Sequence, residues 1–434
     1  MKVLPAASVS GVIQLPGDKS ISHRAAMLAS IAAGVTRIEN YAASADCSST
    51  LACMSALGVG VKREDSQIVI AGVGKRGLKA PDLPLDCGNS GTTMRLLSGI
   101  LAGQEFETIL SGDESLSSRP MERVIDPLTI MGAAIAANDG HAPLRIKGKN
   151  SLRAVVYEPP VASAQIKSCV LLAGLYAAGT TSVIEGTPTR DHTERMLRWF
   201  GVDVDVIQSA KGTTITVDGT AELTARDLSV PGDISAAAFF IAAAACLDAS
   251  EITMPNVGLN SSRCAILDVM RSLGANVTLS DTNDRSNEPV GTIRVVGAPL
   301  ATLRRTPMIR GKTIANLIDE VPILAIFGTQ LATGLEIRDA AELRVKESDR
   351  ISTVVENLRR MGASVTEFDD GFRVERSLLT GAVIDSRGDH RIAMAFAIAG
   401  LLAKGETEVI GAECAAVSFP AFFETLSSVV RYTC

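Results

Sequence analysis

Charged and polar residues stand where this chain should be most apolar. Lys19, Ser20 and Arg24 open one alanine-rich segment. Asn89, Gly91, Thr92 and Arg95 open a second, and Ser163, Gln165 and Lys167 a third. Asp319 and Glu320 open a fifth such segment, and Asp389, His390 and Arg391 a sixth. A helix start offers N–H groups without partners and the positive end of the helix dipole, so it attracts anions. Burying charges there without partner or ligand is costly. These residue types therefore point to a site for substrates with several negative charges, gripped by Lys and Arg. The carboxylates among them suit acid and base work, tuned by nearby cations and burial.

Three other stretches are dense in charge. SLSSRPM, 115–121, puts Arg119 in an expected loop. TRDHTERM, 189–196, holds Arg190, Asp191, His192, Glu194 and Arg195. LRVKESDR, 343–350, holds Arg344, Lys346, Glu347, Asp349 and Arg350. Alone, each reads as a solvated helix face with i,i+3 and i,i+4 ion pairs. The cations at the helix starts of the same chain weigh against that reading. LPGDKSISHRA, 15–25, contains the Gly-x-Lys-Ser half of a nucleotide-binding loop. A full P-loop needs Gly-x4-Gly-Lys-Ser/Thr. Here Asp18 precedes Lys19 and no Gly lies five residues before Gly17, which excludes it.

The elements that must position these residues come as a repeat. An apolar, small-residue helix leads into a Gly and then a β-rich run, in copies at 22–40, 90–110, 163–186, 232–254, 319–339 and 388–411. Interleaved with them is an amphipathic helix ending in Leu-Gly or Met-Gly before a Val-rich strand. Its copies lie at 50–61, 124–135, 195–204, 266–277 and 354–365, with a truncated one at 421–430. The Gly is expected just past the helix end with positive φ. The unit recurs about six times at a spacing of roughly 70 residues and groups as three plus three. The helices that are apolar all round should be buried, with the strands outside. A plain doubly wound α/β protein is the alternative, but it does not require two helix types in fixed alternation.

With 434 residues, 46% hydrophobic and 21% charged, the chain is long enough for two domains of ordinary globular composition. A net charge of −6 disfavours a nucleic-acid partner. The longest apolar run, Ile234 to Leu247, is shorter than the roughly 18–20 residues of a membrane span, and residues 1–15 show no cleavable signal pattern. Cys47, Cys53, Cys87, Cys169, Cys246, Cys264, Cys414 and Cys434 form no CxxC pair, and four His are too few for a zinc set. Reduced thiols in a cytoplasmic protein without metal or other cofactor are expected.

Taken together, LPGDKSISHRA, DCGNSGTTMRLL, LSSRPM, SAQIKS, RDHTERML, IDE, AELRVKESDR and GDHRIAMA resemble the 5-enolpyruvylshikimate-3-phosphate synthases, the 3-phosphoshikimate 1-carboxyvinyltransferases. The likeness runs in order from about Pro16 to about Phe423, and GDK, SAQIK and RDHTE are similar to the bacterial subgroup called class II. It implies two domains, each an inside-out α/β barrel of three repeats with buried helices. One would combine 1–17 with 233–434 and the other would span 18–232, with the active site in the cleft.

The implied reaction moves the enolpyruvyl group of phosphoenolpyruvate to the 5-hydroxyl of shikimate 3-phosphate through a tetrahedral intermediate, serving chorismate and aromatic amino acid biosynthesis. By motif position, Lys19 would touch both substrates and take part in proton transfer. Ser20, Arg24, Ser163, Ala164, Gln165, Arg190, Asp319 and Lys346 would hold shikimate 3-phosphate, Arg24 by its carboxylate. Lys19, Gly91, Arg119, Gln165, Arg350 and Arg391 would hold phosphoenolpyruvate. Asp319 is the expected base on the 5-hydroxyl, and Glu347 the expected acid at C3. A monomer acting on these two small molecules is expected, with no nucleic-acid or membrane partner.

The sequence departs from the family pattern in three places. Residues 415–418 read Ala-Ala-Val-Ser where many members carry a Lys before S/T-F-P, Ala164 replaces a Ser, and 260–263 reads NSSR for N-x-T-R. The subgroup motifs lean towards glyphosate tolerance, whereas Gly91 leaves room that leans towards sensitivity. The nearest rival, UDP-N-acetylglucosamine 1-carboxyvinyltransferase, usually has a Cys in the loop before Arg-Pro, and SGDESLSSRP at 111–120 has none. An RNA 3′-phosphate cyclase would need a nucleotide-accepting His and a more basic surface. A non-catalytic repeat scaffold leaves the charged helix starts unexplained.

Overall fold

The computed structural model of the chain describes residues 1–64, 67–300 and 303–432. Cys434 lies outside them. Among the described residues, twelve helices carry the repeat in two alternating types. The apolar type comprises α1 (Lys19–Ile31), α3 (Gly91–Ala102), α5 (Ala164–Gly174), α7 (Ile234–Cys246), α9 (Val321–Gln330) and α11 (His390–Leu402). The amphipathic type comprises α2 (Ala45–Ala56), α4 (Glu122–Ile130), α6 (His192–Trp199), α8 (Ala265–Ser272), α10 (Arg350–Arg360) and α12 (Phe422–Val429). The apolar helices are buried nearly all round, as their composition requires.

The start and stop signals of both types are local. Asp18, Ser90, Ser163, Asp233 and Asp389 stand just before α1, α3, α5, α7 and α11, and the side chain of each accepts an N–H of the first turn. In α9 that role passes to Pro322, which has no N–H to satisfy. Five amphipathic helices end on Gly58, Gly132, Gly201, Gly274 and Gly362, all with positive φ. The next residue then donates its N–H back to a carbonyl five residues earlier, as from Val59 to Met54 and from Val202 to Leu197. That bond buries Val59, Ala133, Val202, Ala275 and Ala363 and aims the chain into its strand.

The chain divides into two compact units, Gly17–Val230 with Asp284–Glu288, and Met1–Pro16 with Pro231–Asn283 and Pro289–Cys434. In the first unit each of three sheets repeats one order. A short strand runs parallel to the first long strand, which is antiparallel to the third, which is antiparallel to the second. The first sheet pairs 228–229, 33–39, 67–73 and 60–64 in that order. The next two are 85–86, 107–111, 141–147, 134–138 and 156–157, 180–185, 212–218, 204–209. The last segment of the unit thus completes the sheet of its first repeat.

The second unit uses the same plan with borrowed strands. Strand 308–309 lies parallel to 335–337, beside 371–374 and 365–368. Strand 8–12 lies parallel to 251–253 and antiparallel to 430–431, and strand 2–3 pairs antiparallel with 407–408. Each unit has its own apolar core. Phe239, Phe240, Phe419 and Phe422 stack at ring separations of 5.7–6.2 Å in the core of the second unit. The hairpin strands 276–285 and 288–296 carry the Asp284–Glu288 tip that belongs with Gly17–Val230.

Of the seven described cysteines, Cys47, Cys53, Cys87 and Cys169 are buried and Cys246, Cys264 and Cys414 half-buried. Among the described residues, no helix is long and apolar enough to cross a membrane.

Candidate active site

In the unit built on Gly17–Val230, the singled-out residues sit on the starts of α1, α3 and α5. Lys19 is the first residue of α1, and its ammonium pairs with Asp46 of α2 at 2.9 Å. Ser20 follows it. One turn on, the Arg24 guanidinium is buried, donating to the Thr193 hydroxyl (2.6 Å), the Ser168 hydroxyl (2.8 Å) and the Ser20 carbonyl (2.9 Å). Burial lowers its pKa to about 10, against the pull of Glu194, Asp18 and Glu288, so it is a cation at neutral pH.

Gly91 opens α3. A Cβ there would lie 3.0 Å from Nη1 of Arg95 and 3.5 Å from Nη1 of Arg119. Arg119 is held by Asn89 (2.8 Å) and Ser115 (3.1 Å). Arg95 donates to the Gln165 side-chain carbonyl at 2.7 Å, and the Gln165 amide donates to Thr92 at 3.0 Å. Ser163 precedes α5 and accepts from Ile166, with Ala164 as the first helical residue. Arg190 lies just before α6 and is close enough to Arg24 to weigh on its charge. The starts of α1 and α3 are therefore both tied to α5, through Arg24 with Ser168 and Arg95 with Gln165.

Lys167, whose charge suggested a ligand role, is otherwise engaged. It is buried, and its ammonium lies 2.9 Å from Glu185 and 2.7 Å from Glu194. Burial raises the Glu194 pKa, while Lys167 holds it down. His23, on α1, is also buried. Its Nδ1 is 2.7 Å from the Thr50 hydroxyl, and burial with the Lys19 and Arg24 charges drives its pKa well below 6.5. Arg344 and Arg195 likewise make local ion pairs, Arg344 with Asp349 and Glu367, and Arg195 with Asp191.

In the other unit the centre is Asp319, just before α9. Three guanidinium groups converge on its carboxylate, from Arg350 at 3.6 Å, Arg391 at 3.7 Å and Arg263 at 3.9 Å. Arg391 also donates to the Asp319 carbonyl at 3.0 Å. Opposite charges this close favour the ionised carboxylate. Arg350 opens α10 fully buried, pairing with Asp389 at 2.7 Å and with Glu347; desolvation pulls its pKa down, but Asp389, Glu347 and Asp319 outweigh it and raise the pKa. Glu347 and Lys346 sit on the turn before α10. Lys346 is half-buried and 3.8 Å from Glu342. Desolvation lowers its pKa below the usual 10.5, and Asp319 and Glu342 oppose that shift.

Arg350, Arg391, Glu347 and Asp319 thus form one cluster, and Gly91, Arg95, Arg119 and Gln165 another. Sequence reasoning did not single out Asp46, Arg263, Ser168 or Thr193. Arg263 had a faint signal, the NSSR run ahead of α8; Asp46 had none. The Ala-Ala-Val-Ser run at 415–418 lies at the end of a 3-10 turn over Ala412–Val417, with Ala415 buried. Among the described residues, no group of three or more His, Cys, Asp or Glu is arranged to hold a metal.

The family described as EPSP synthase (3-phosphoshikimate 1-carboxyvinyltransferase) matches residues 3–426. The chain is 51% identical over 433 residues to the 3-phosphoshikimate 1-carboxyvinyltransferase of Koribacter versatilis, covering 99% of each. It is 50% identical to that of Salinibacter ruber, covering 98% of each. The crystal structure of EPSP synthase from Acinetobacter baumannii superposes with a TM-score of 0.87 at 39% identity, over 99% of this chain and 98% of that one. The enolpyruvyl transferase NikO from Streptomyces tendae shares the fold, with a TM-score of 0.79 at 17% identity over 99% and 96% of the two chains.

Proposed function

The chain belongs to the EPSP synthase family, and from that premise we propose that it transfers the enolpyruvyl group of phosphoenolpyruvate to the 5-hydroxyl of shikimate 3-phosphate, releasing phosphate. The observation that carries this reading is the match to that family over residues 3–426. The chain has the enolpyruvyl-transferase fold and acts on small molecules in the shikimate pathway. It works in this reading as a cytoplasmic monomer.

The 5-hydroxyl oxygen adds to C2 of phosphoenolpyruvate as C3 gains a proton, giving a tetrahedral ketal phosphate. Loss of a proton from C3 and of phosphate from C2 restores the double bond. Asp319 takes the hydroxyl proton and Glu347 delivers the proton to C3, with Lys19 touching both substrates and taking part in proton transfer. Arg350, Arg391, Arg119 and the Gly91 backbone hold phosphoenolpyruvate. Ser20, Arg24, Ser163, Ala164, Arg190 and Lys346 hold shikimate 3-phosphate, and Gln165 serves both. The cluster around Asp319 supports its part as base. Arg350 and Arg391 neutralise it and are also the arginines assigned to phosphoenolpyruvate. When the substrate anion draws on these cations, the Asp319 carboxylate loses counter-charge and becomes a stronger base.

A phosphate-release assay tests this. Phosphate should appear with shikimate 3-phosphate plus phosphoenolpyruvate. Release only with UDP-N-acetylglucosamine as acceptor would overturn the reading. Asp319→Asn should slow turnover by about 10²–10⁴-fold, the usual share of a general base; normal turnover would remove Asp319 from that role.

A further inference from the structure

Arg24 is held by a relay that runs to the start of α5, and the geometry points to Thr193 and Ser168 as positioning residues that fix how its guanidinium meets the substrate carboxylate. This rests on the reading above, in which Arg24 binds the carboxylate of shikimate 3-phosphate.

The direction of the relay follows from proton counting. The Ser168 hydroxyl has one hydrogen, and it donates to the Ala164 carbonyl at 2.6 Å. Ser168 therefore accepts in its 2.6 Å contact with Thr193, and Thr193 donates its own hydrogen there. Both oxygens keep lone pairs for Arg24, Thr193 for Nε and Ser168 for Nη2. Arg24, Thr193 and Ser168 are all buried, so water cannot replace a lost partner. A guanidinium has five N–H bonds in a fixed plane. Thr193, Ser168 and the Ser20 carbonyl take three, leaving one on each terminal nitrogen, the number a carboxylate needs for two bonds.

Thr193 is itself anchored. Its neighbour Glu194 meets Lys167 at 2.7 Å, next in sequence to Ser168. Two adjacent rungs, Thr193 with Ser168 and Glu194 with Lys167, thus lock the first turn of α6 against α5. The same helix start carries Ser163, Ala164 and Gln165. The relay sets the spacing between the guanidinium and that start, and so the length of substrate that can engage both.

Thr193→Val keeps the shape and removes the hydroxyl. It should raise KM for shikimate 3-phosphate about tenfold, with kcat and the KM for phosphoenolpyruvate changed less than about twofold. Thr193→Ser should restore wild-type values. Affinity for shikimate 3-phosphate relative to its C1 carboxamide should fall about tenfold in Thr193→Val, a readout that a purely structural role leaves unchanged. An unchanged ratio, or equal losses in kcat and both KM values, overturns the inference. Should Thr193→Val not fold, Ser168→Ala carries the same expectation and the same refutation. A wild-type chain that releases no phosphate from this substrate pair removes the underlying reading. An active wild type with an unaltered Thr193→Val removes only the inference.

Discussion

His23 shows how a single residue couples the site to stability. It sits between Lys19 and Arg24 in sequence, is buried, and keeps a pKa well below 6.5 in the folded chain. Below pH 6.5 the unfolded chain gains a proton there and the folded chain does not. Stability therefore falls as pH falls, by up to about 1.4 kcal/mol per pH unit from this group. His23→Gln should flatten that part of the slope when urea midpoints are compared between pH 7 and pH 5.5; an unaltered slope would exclude His23 as its source. The sequence made Lys19, Arg24 and Asp319 legible because a charge at the start of an apolar helix is conspicuous. It did not make their partners legible. Asp46 is 27 residues from Lys19 and Thr193 is 169 from Arg24, and no periodicity links them.

Among the elements, α3 and α5 pack closely at Gly99. A Cβ there would fall 2.3 Å from the Cys169 carbonyl oxygen, which belongs to backbone and cannot swing away. Gly99→Ala must separate two helices whose starts are joined by Arg95 and Gln165. It should destabilise the chain by about 1–3 kcal/mol in urea unfolding, the usual cost of overpacking, and raise KM for both substrates through Gln165. An unchanged midpoint would show that the helices shift freely. Helix order and the glycines ending α2, α4, α6, α8 and α10 were readable in advance, because each signal lies within one turn of its effect. The crossing of α3 on α5 was not, because it depends on which two surfaces meet.

Across the whole molecule, the tip Asp284–Glu288 is the part that sequence order hides best. Glu288 is buried and lies 2.7 Å from Nδ1 of His192. Asn287 exchanges hydrogen bonds with Arg195, and Ser286 accepts from the Ser229 N–H. Glu288→Ala leaves a buried His without its partner, at about 1–3 kcal/mol. Hydrogen exchange should rise across residues 192–199 and stay unchanged across 321–330; equal protection in the variant would mean that the tip adds nothing.

The borrowed strands also set a timetable. Strand 8–12 is made early, yet one of its neighbours is 430–431, made much later in the chain. At about 5–20 residues per second, that neighbour follows some 20–80 s later. Meanwhile strand 8–12 presents an open edge, the feature most prone to pair with the wrong chain. Residues 17–230 are made without interruption in that interval and lack only the 284–288 tip. Strand 8–12 is thus paired on both edges only once 430–431 has been made, long after its own synthesis.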